Sequence, residues 1–161
     1  DLLKFNPEGK IRIRFSLMPE SYRRVLEPNT TPIWERLIAV DHFQVNGYEV
    51  HLNFSPVIVY HNWLEHYREL FRQIDQYVTF KENVKAEVIF LTHNEEKHKY
   101  NLANNIPGEY LLWQPEIQES KVSQYGGDNI RYKHDLKAQY IKAWTDLHDE
   151  IIPWNKIRYI F

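Results

Sequence analysis

The sequence predicts an α/β chain: three parallel strand–helix units forming half of a (β/α) barrel, then a hairpin, a helix and a strand. Three observations carry this. Three short stretches alternate strictly between apolar and polar residues. Each is followed by a stretch with helical features, so the order is strand, helix, strand, helix, strand, helix, which means parallel pairing with right-handed crossovers. The third observation is the polarity of the strands. A sheet with helices on both faces would show continuous apolar runs. These strands keep one apolar and one polar face, which fits helices on one side and a wet hollow on the other.

The first strand covers residues 11–19. Ile11, Ile13 and Phe15 fall on one side, and Arg12, Arg14 and Ser16 on the other. The turn Glu27-Pro28-Asn29-Thr30-Thr31-Pro32 leads into a helix, with Thr31 as cap and Pro32 at the first helical position. That helix runs to about Val45 with Ile33, Leu37 and Val40 on one face, and Asn46-Gly47 stops it.

The second unit opens at Tyr48. Val50, Leu52 and Phe54 alternate with Glu49, His51, Asn53 and Ser55 until Pro56 ends the clean pattern. Asn62 can cap the next helix, with Glu65 three residues on. Trp63, Leu64, Tyr67, Leu70, Phe71 and Ile74 fit one helix face. In the third unit Val84, Ala86, Val88 and Phe90 alternate with Lys85, Glu87, Ile89 and Leu91. A short charged helix over residues 95–103 follows, broken at residues 105–108.

Arg12, Arg14, His51, Asn53 and Glu87 are therefore expected to face the hollow. In such folds functional groups gather at the C-terminal ends of the strands, here residues 16–18, 55–57 and 92–94. Three units do not close a barrel. The division expected is residues 1–104 as the second half of a barrel and residues 105–161 as a C-terminal extension. In the extension, residues 118–132 around Tyr125-Gly126-Gly127-Asp128-Asn129 read as a β-hairpin. Leu136, Tyr140, Trp144, Leu147 and Ile151 mark a helix ended by Pro153, and residues 156–161 form a last strand.

Composition narrows the function. Hydrophobic residues make up 43% of 161 residues, enough for a packed core. A net charge of −2 predicts no bulk attraction to nucleic acid or membrane. No apolar run spans a bilayer and no secretory signal is present, so a cytoplasmic protein is expected. Cysteine is absent, which excludes disulfides, a thiol nucleophile and a Cys-ligated zinc or iron–sulfur centre within this chain. The start, Asp1-Leu2-Leu3-Lys4, lacks an initiator Met and reads as a cut through something longer.

An ordered set of short motifs then carries a resemblance. Arg14-Phe15-Ser16, Glu27-Pro28-Asn29-Thr30, Glu35-Arg36, Gly47-Tyr48, Ser55-Pro56-Val57-Ile58, Trp63, Tyr67, Thr92-His93 and Tyr125-Gly126 follow one another along nearly the whole chain. This is similar to the C-terminal half of the spore photoproduct lyase family. The resemblance implies a partial (β/α)6 TIM-like barrel. It also implies a radical S-adenosylmethionine carbon–carbon lyase that reverses a thymine–thymine lesion in DNA with the help of a [4Fe–4S] cluster. The family's Cys-x-x-x-Cys-x-x-Cys motif and hydrogen-donating Cys are not in this chain, so the chain alone is expected to be inactive. Where the family has Glu-Pro-Gly-Thr this chain has Glu27-Pro28-Asn29-Thr30, and where it has Ala-Pro-Ile this chain has Ser55-Pro56-Val57. Where the lesion hairpin of the family is rich in Arg and aromatics, this chain has Glu119, Ser120 and Lys121.

By the resemblance, Ser16 and Ser55 occupy cofactor-binding positions. Ser16 resembles the serine that hydrogen-bonds the amino-acid end of S-adenosylmethionine, and Ser55 stands at a position where a small residue permits close approach. The two are expected to share one pocket at the rim. Tyr125 is expected to contact substrate by stacking, and Arg131, Lys121 and Lys133 by phosphate contact. No catalytic residue is assigned within the chain. His61 and His66 are five apart and do not share a helix face; His93, His98, His134 and His148 read as scattered, so no metal site is expected. The partners expected are DNA, the missing N-terminal half of the barrel, and a second copy through open strand edges. A relative with a different substrate, or a binding domain without enzymatic activity, are the other readings. A Cys-x-x-x-Cys-x-x-Cys motif upstream of Asp1 would separate the enzyme readings from the last.

Overall fold

The structure is a computed structural model and describes residues 2–122 and 128–161. Four strands form the main sheet: β1 (Arg12–Ser16), β2 (Glu49–Val57), β3 (Lys85–Phe90) and β7 (Lys156–Ile160). Their order is β1-β2-β3-β7 and every pairing is parallel. The first three strands are thus parallel and adjacent in chain order, as their alternation predicts. A second sheet is antiparallel in the order β4-β6-β5, from β4 (Thr92–His93), β5 (Gln118–Val122) and β6 (Asp128–Tyr132). Only Leu91 separates β3 from β4, so the hairpin β5–β6 stands at the C-terminal end of the main sheet.

Among the described residues six α-helices connect the strands: α1 (Glu20–Leu26), α2 (Ile33–Val45), α3 (Trp63–Tyr77), α4 (Glu95–Ala103), α5 (Glu109–Leu112) and α6 (His134–Ile151). The apolar strand face, Val50, Leu52, Phe54, Ala86, Val88 and Phe90, is fully buried. It is covered by Leu37 and Val40 of α2, Tyr67, Leu70, Phe71 and Ile74 of α3, and Trp144 and Leu147 of α6. Trp144 sits at the centre, 5.2 Å from the Phe54 ring and 5.1 Å from Phe71, both edge-on, the geometry aromatic pairs favour. No helix among the described residues is long and apolar enough to cross a membrane.

Four details differ from expectation. Helices α1 and α5 have no counterpart in the sequence reading. Tyr22, Val25 and Leu26 do carry an i, i+3, i+4 spacing after Pro19, but over seven residues. The cap of α2 is not Thr31. Pro32 occupies the cap position with no side-chain bond, and the Ile33 N–H donates instead to Glu20 Oε2 at 3.3 Å, a partner brought in by α1. Asn62 has φ +53 and its side chain caps nothing in α3. Finally, the last strand, expected in a C-terminal extension, joins the main sheet beside β3. Asn155 steers it there: its Nδ2 donates to the Val84 carbonyl at 2.9 Å, just before β3 begins. A pairing across about seventy residues leaves no local trace in the sequence.

Candidate functional site

Parallel register stacks the polar residues of the main sheet on one face. Arg14 lies opposite His51, Ser16 opposite Asn53, Asn53 opposite Glu87, and Glu87 opposite Tyr159. The five residues expected to face the hollow all share this face. Glu87 is its hub. The carboxylate, 1% exposed, accepts from Arg14 Nε at 2.7 Å, Tyr159 Oη at 2.8 Å, Arg158 Nη1 at 3.2 Å and His51 Nδ1 at 2.7 Å. His51 is fully buried and also reaches Glu49 Oε1 through Nε2 at 2.8 Å. Glu49 also pairs with two cations, Arg12 at 3.1 Å and Lys85 at 3.3 Å.

These contacts set the charge states. Burial works to raise the Glu87 carboxyl, but hydrogen bonds from His51, Arg14 and Tyr159 outweigh it and hold it at about 2. Glu49 is likewise held at about 2, first by His51 and then by Arg12. The Tyr159 hydroxyl, donating to Glu87, is shifted upward. The face is therefore a fixed array of charges. Glu49, Arg158 and Tyr159 were not singled out from sequence; the last two become visible only once β7 is placed.

At the C-terminal end of β1 the family-like motifs converge. Arg36 Nη1 donates to the Ser16 carbonyl at 2.7 Å, and Nη2 donates to Glu27 Oε2 at 3.2 Å and Thr30 Oγ1 at 2.6 Å. Glu27, Thr30 and Arg36 thus form a clamp that fixes the backbone of Ser16. The Ser16 side chain is exposed at the rim, and among the described residues its hydroxyl meets Asn53 Nδ2 alone, at 3.5 Å. A hydroxyl so placed fits hydrogen bonding to a polar ligand. Ser55 lies two residues beyond Asn53, half-buried, with a cis peptide to Pro56. The open hollow beside Ser16, walled by Phe15, Thr30 and Arg36, does not include Ser55. Strand β2 continues through Pro56 to Val57 with a register shift between Phe54 and Val57.

The backbone just beyond β2 is pinned by three side chains, of which the sequence reading had placed only Tyr67, on the apolar face of its helix. The Ile58 N–H donates to Tyr67 Oη at 3.2 Å, the Val59 N–H to Tyr132 Oη at 2.8 Å, and Gln114 Nε2 donates to the Val59 carbonyl at 2.7 Å. The hairpin behaves differently. Arg131 is held by Glu119 at 2.9 Å, Lys133 Nζ donates to the Glu116 carbonyl at 2.7 Å, and Lys121 is exposed. Tyr125 lies outside the described residues. His93 and His98, read as scattered, both meet Glu109, their ligand atoms within 4.8 Å of one another. Nothing in the chain can ligate an iron–sulfur cluster through cysteine, so the residues present do not fit that group.

The fold has known relatives. The chain is 27% identical over 161 residues to spore photoproduct lyase of Bacillus subtilis (strain 168), an alignment covering 98% of this chain and 46% of the relative. A spore photoproduct lyase variant solved with bound AdoMet and dinucleoside spore photoproduct superposes with a TM-score of 0.87. A second variant, solved with dinucleoside spore photoproduct, superposes with a TM-score of 0.88. Both are 20% identical, with 99% of this chain and 47% and 48% of theirs covered. The chain spans about half the length of the relatives it matches. The family model for spore photoproduct lyase matches residues 1–161, the whole chain, which therefore belongs to the spore photoproduct lyase family.

Proposed function

We propose that this chain is the C-terminal half of a radical S-adenosylmethionine carbon–carbon lyase that repairs thymine–thymine photolesions in DNA. The observation that carries the reading is the Glu27–Thr30–Arg36 clamp on Ser16 at the rim of a parallel sheet with one charged face. In this reading β1, β2 and β3 are the second half of a partial (β/α)6 barrel, and the missing strands continue it from the edge of β1. S-adenosylmethionine, when bound against a cluster held by that other half, supplies the radical chemistry. Ser16 orients its amino-acid end, and Ser55 leaves room for close approach. Arg12, Arg14, Glu49, His51 and Glu87 keep the barrel interior polar and rigid. Lys121, Lys133 and Arg131 face the phosphates, and Tyr125 offers a stacking face. The test is conversion of a lesion-bearing duplex by the full-length protein with S-adenosylmethionine, wild type against Ser16→Ala. Repair that Ser16→Ala slows supports the reading, and no repair by the wild type rejects it.

One observation favours a family member with a different substrate. Arg131, the strongest phosphate-binding candidate of the hairpin, is already paired with Glu119 at 2.9 Å. Like-charge repulsion between Glu119 and a phosphate would also oppose docking there. Binding of the full-length protein to damaged and undamaged duplexes separates the two readings.

A further inference from the structure

Helix α4 is attached to the rest of the molecule in an unusual way. None of its nine residues is buried. Tyr100 and Leu102, its largest apolar side chains, are 63% and 58% exposed. The two half-buried side chains of the helix are His98 and Asn101, and both touch Glu109. His98 Nδ1 lies 2.5 Å from Glu109 Oε1, and Asn101 Nδ2 donates to Oε2 at 2.6 Å. From the other side, His93 of β4 brings Nε2 to 2.9 Å from the same Oε1. A helix that buries no apolar face gains little from the hydrophobic effect, so this polar cluster is what ties it down.

We infer that His93, His98 and Glu109 form a binding site for one first-row divalent transition cation, zinc foremost. Two imidazole nitrogens and one carboxylate oxygen converge within 4.8 Å of one another, and that donor set selects such cations over calcium or magnesium. The surroundings are those of a prepared site. The carboxylate and His93 are each 8% exposed. Asn101 holds Oε2 and turns Oε1 toward the two rings, the orienting role that outer hydrogen bonds play around metal ligands. Trp113 stacks on His98 at 3.9 Å with the rings 10° apart, fixing the plane of that ligand. Gly108, at φ +89, starts α5 where a Cβ would come within 2.6 Å of Leu26 Cδ2, so the position of Glu109 is set by backbone packing against α1. Three protein ligands leave a further position for water. Bound there, the cation joins β4, α4 and α5 in a segment with few apolar contacts. The site lies apart from the polar sheet face and does not depend on the function proposed above.

The untagged 161-residue chain, stripped with a chelator, is titrated with zinc by calorimetry, and with cobalt by absorption spectroscopy. The chain has no cysteine, so thiols cannot compete. One equivalent binds the wild type and raises its melting temperature, while magnesium does neither. His93→Ala and Glu109→Gln abolish the high-affinity equivalent, and Asn101→Ala weakens it about 10–100-fold. His98→Cys, which offers a thiolate in place of the imidazole, retains binding and adds a sulfur-to-cobalt charge-transfer band. Absence of a saturable equivalent, equal affinity in wild type and His93→Ala, or a His98→Cys variant without that band would overturn the site and leave a plain hydrogen-bonded cluster.

Discussion

The two sheets of this molecule use charge in opposite ways. On the main sheet, Glu87 is 1% exposed and receives four donors from three other strands. On the small sheet, the pair Glu119–Arg131 is 36% and 25% exposed and joins only two strands of one hairpin. Buried charges in a network are costly to disturb, because each survivor stays desolvated without its partner. Exposed pairs are worth little and exchange readily with water or a ligand. The main sheet therefore fixes a shape, whereas the hairpin pair can open at little cost. The contrast can be broken by experiment at four points.

The largest effect is expected at the hub. Glu87→Ala removes the partner shared by His51, Arg14, Arg158 and Tyr159. Breaking a buried ion pair by deleting one member costs about 3–5 kcal/mol. Urea unfolding should show the free energy of unfolding lowered by that amount. A loss below about 1 kcal/mol, the range of an exposed pair, would put Glu87 in the same class as Glu119.

Acid should attack the same hub. The native Glu87 carboxyl lies at about 2, below the ordinary glutamate value of roughly 4.3. Between those values the unfolded chain binds a proton that the native chain does not, so stability rises with pH there. The contribution is complete above about pH 5 and is lost as pH falls toward 2, with a magnitude on the order of 3 kcal/mol. Denaturation series at pH 6 and pH 3 measure it. Glu87→Gln should lose the Glu87 share of this pH dependence and keep the shares of Glu49, Glu20, Asp75 and Glu109, whose carboxyls are depressed in the same direction.

The same contrast explains how far the sequence could be read. Strict alternation in β1, β2 and β3 identified both strand faces, because a period of two is a local property. The spacing of Tyr67, Leu70, Phe71 and Ile74 identified α3 for the same reason. What escaped depended on distant partners. Strand β7 is recognisable as a strand but its neighbour is not, so Arg158 and Tyr159 could not be placed against Glu87. His93 and His98 are five apart on different elements, and Glu109 completes their cluster from a helix of four residues. The motifs Glu27-Pro28-Asn29-Thr30 and Glu35-Arg36 were legible as a family signature, but their joint grip on Ser16 was not. The pairing of residues 118–122 with 128–132 was anticipated, though Arg131 was read as a cation without its partner Glu119.

A smaller effect is expected at the rim. Ser16→Ala removes a hydroxyl that contributes nothing to the clamp, since Arg36 holds the Ser16 carbonyl. Folding stability should change by less than about 0.5 kcal/mol, as for exposed substitutions generally. Calorimetry on the full-length protein should show S-adenosylmethionine binding weakened by about 1.5–3 kcal/mol, the loss of one hydrogen bond to a charged group. Arg36→Ala should weaken it too, through the displaced strand end, while also lowering stability. Unchanged affinity in Ser16→Ala would remove that serine from the cofactor site and leave the clamp as a purely structural device.

The most direct test of the hairpin, again with a small effect on stability, is Glu119→Gln. The Glu119–Arg131 pair is partly exposed, so its loss should cost only about 0.2–1 kcal/mol of folding stability. Its effect on DNA binding should run the other way. With Glu119 neutral, the Arg131 guanidinium loses its tether and the local repulsion of phosphate falls. The full-length protein should then bind duplex DNA more tightly. The slope of log affinity against log salt should steepen by about 0.9, the value for one more neutralised phosphate. Arg131→Ala alone should change little, because in the wild type that cation is already occupied. The double variant should bind less tightly than Glu119→Gln, because the freed cation is gone. Binding measured at two salt concentrations for these four proteins decides the matter. If Arg131→Ala alone weakens binding to every sequence, the ion pair opens at no cost and the hairpin already grips DNA. If all four bind alike, the hairpin does not touch the backbone, and the reading with a different substrate is preferred.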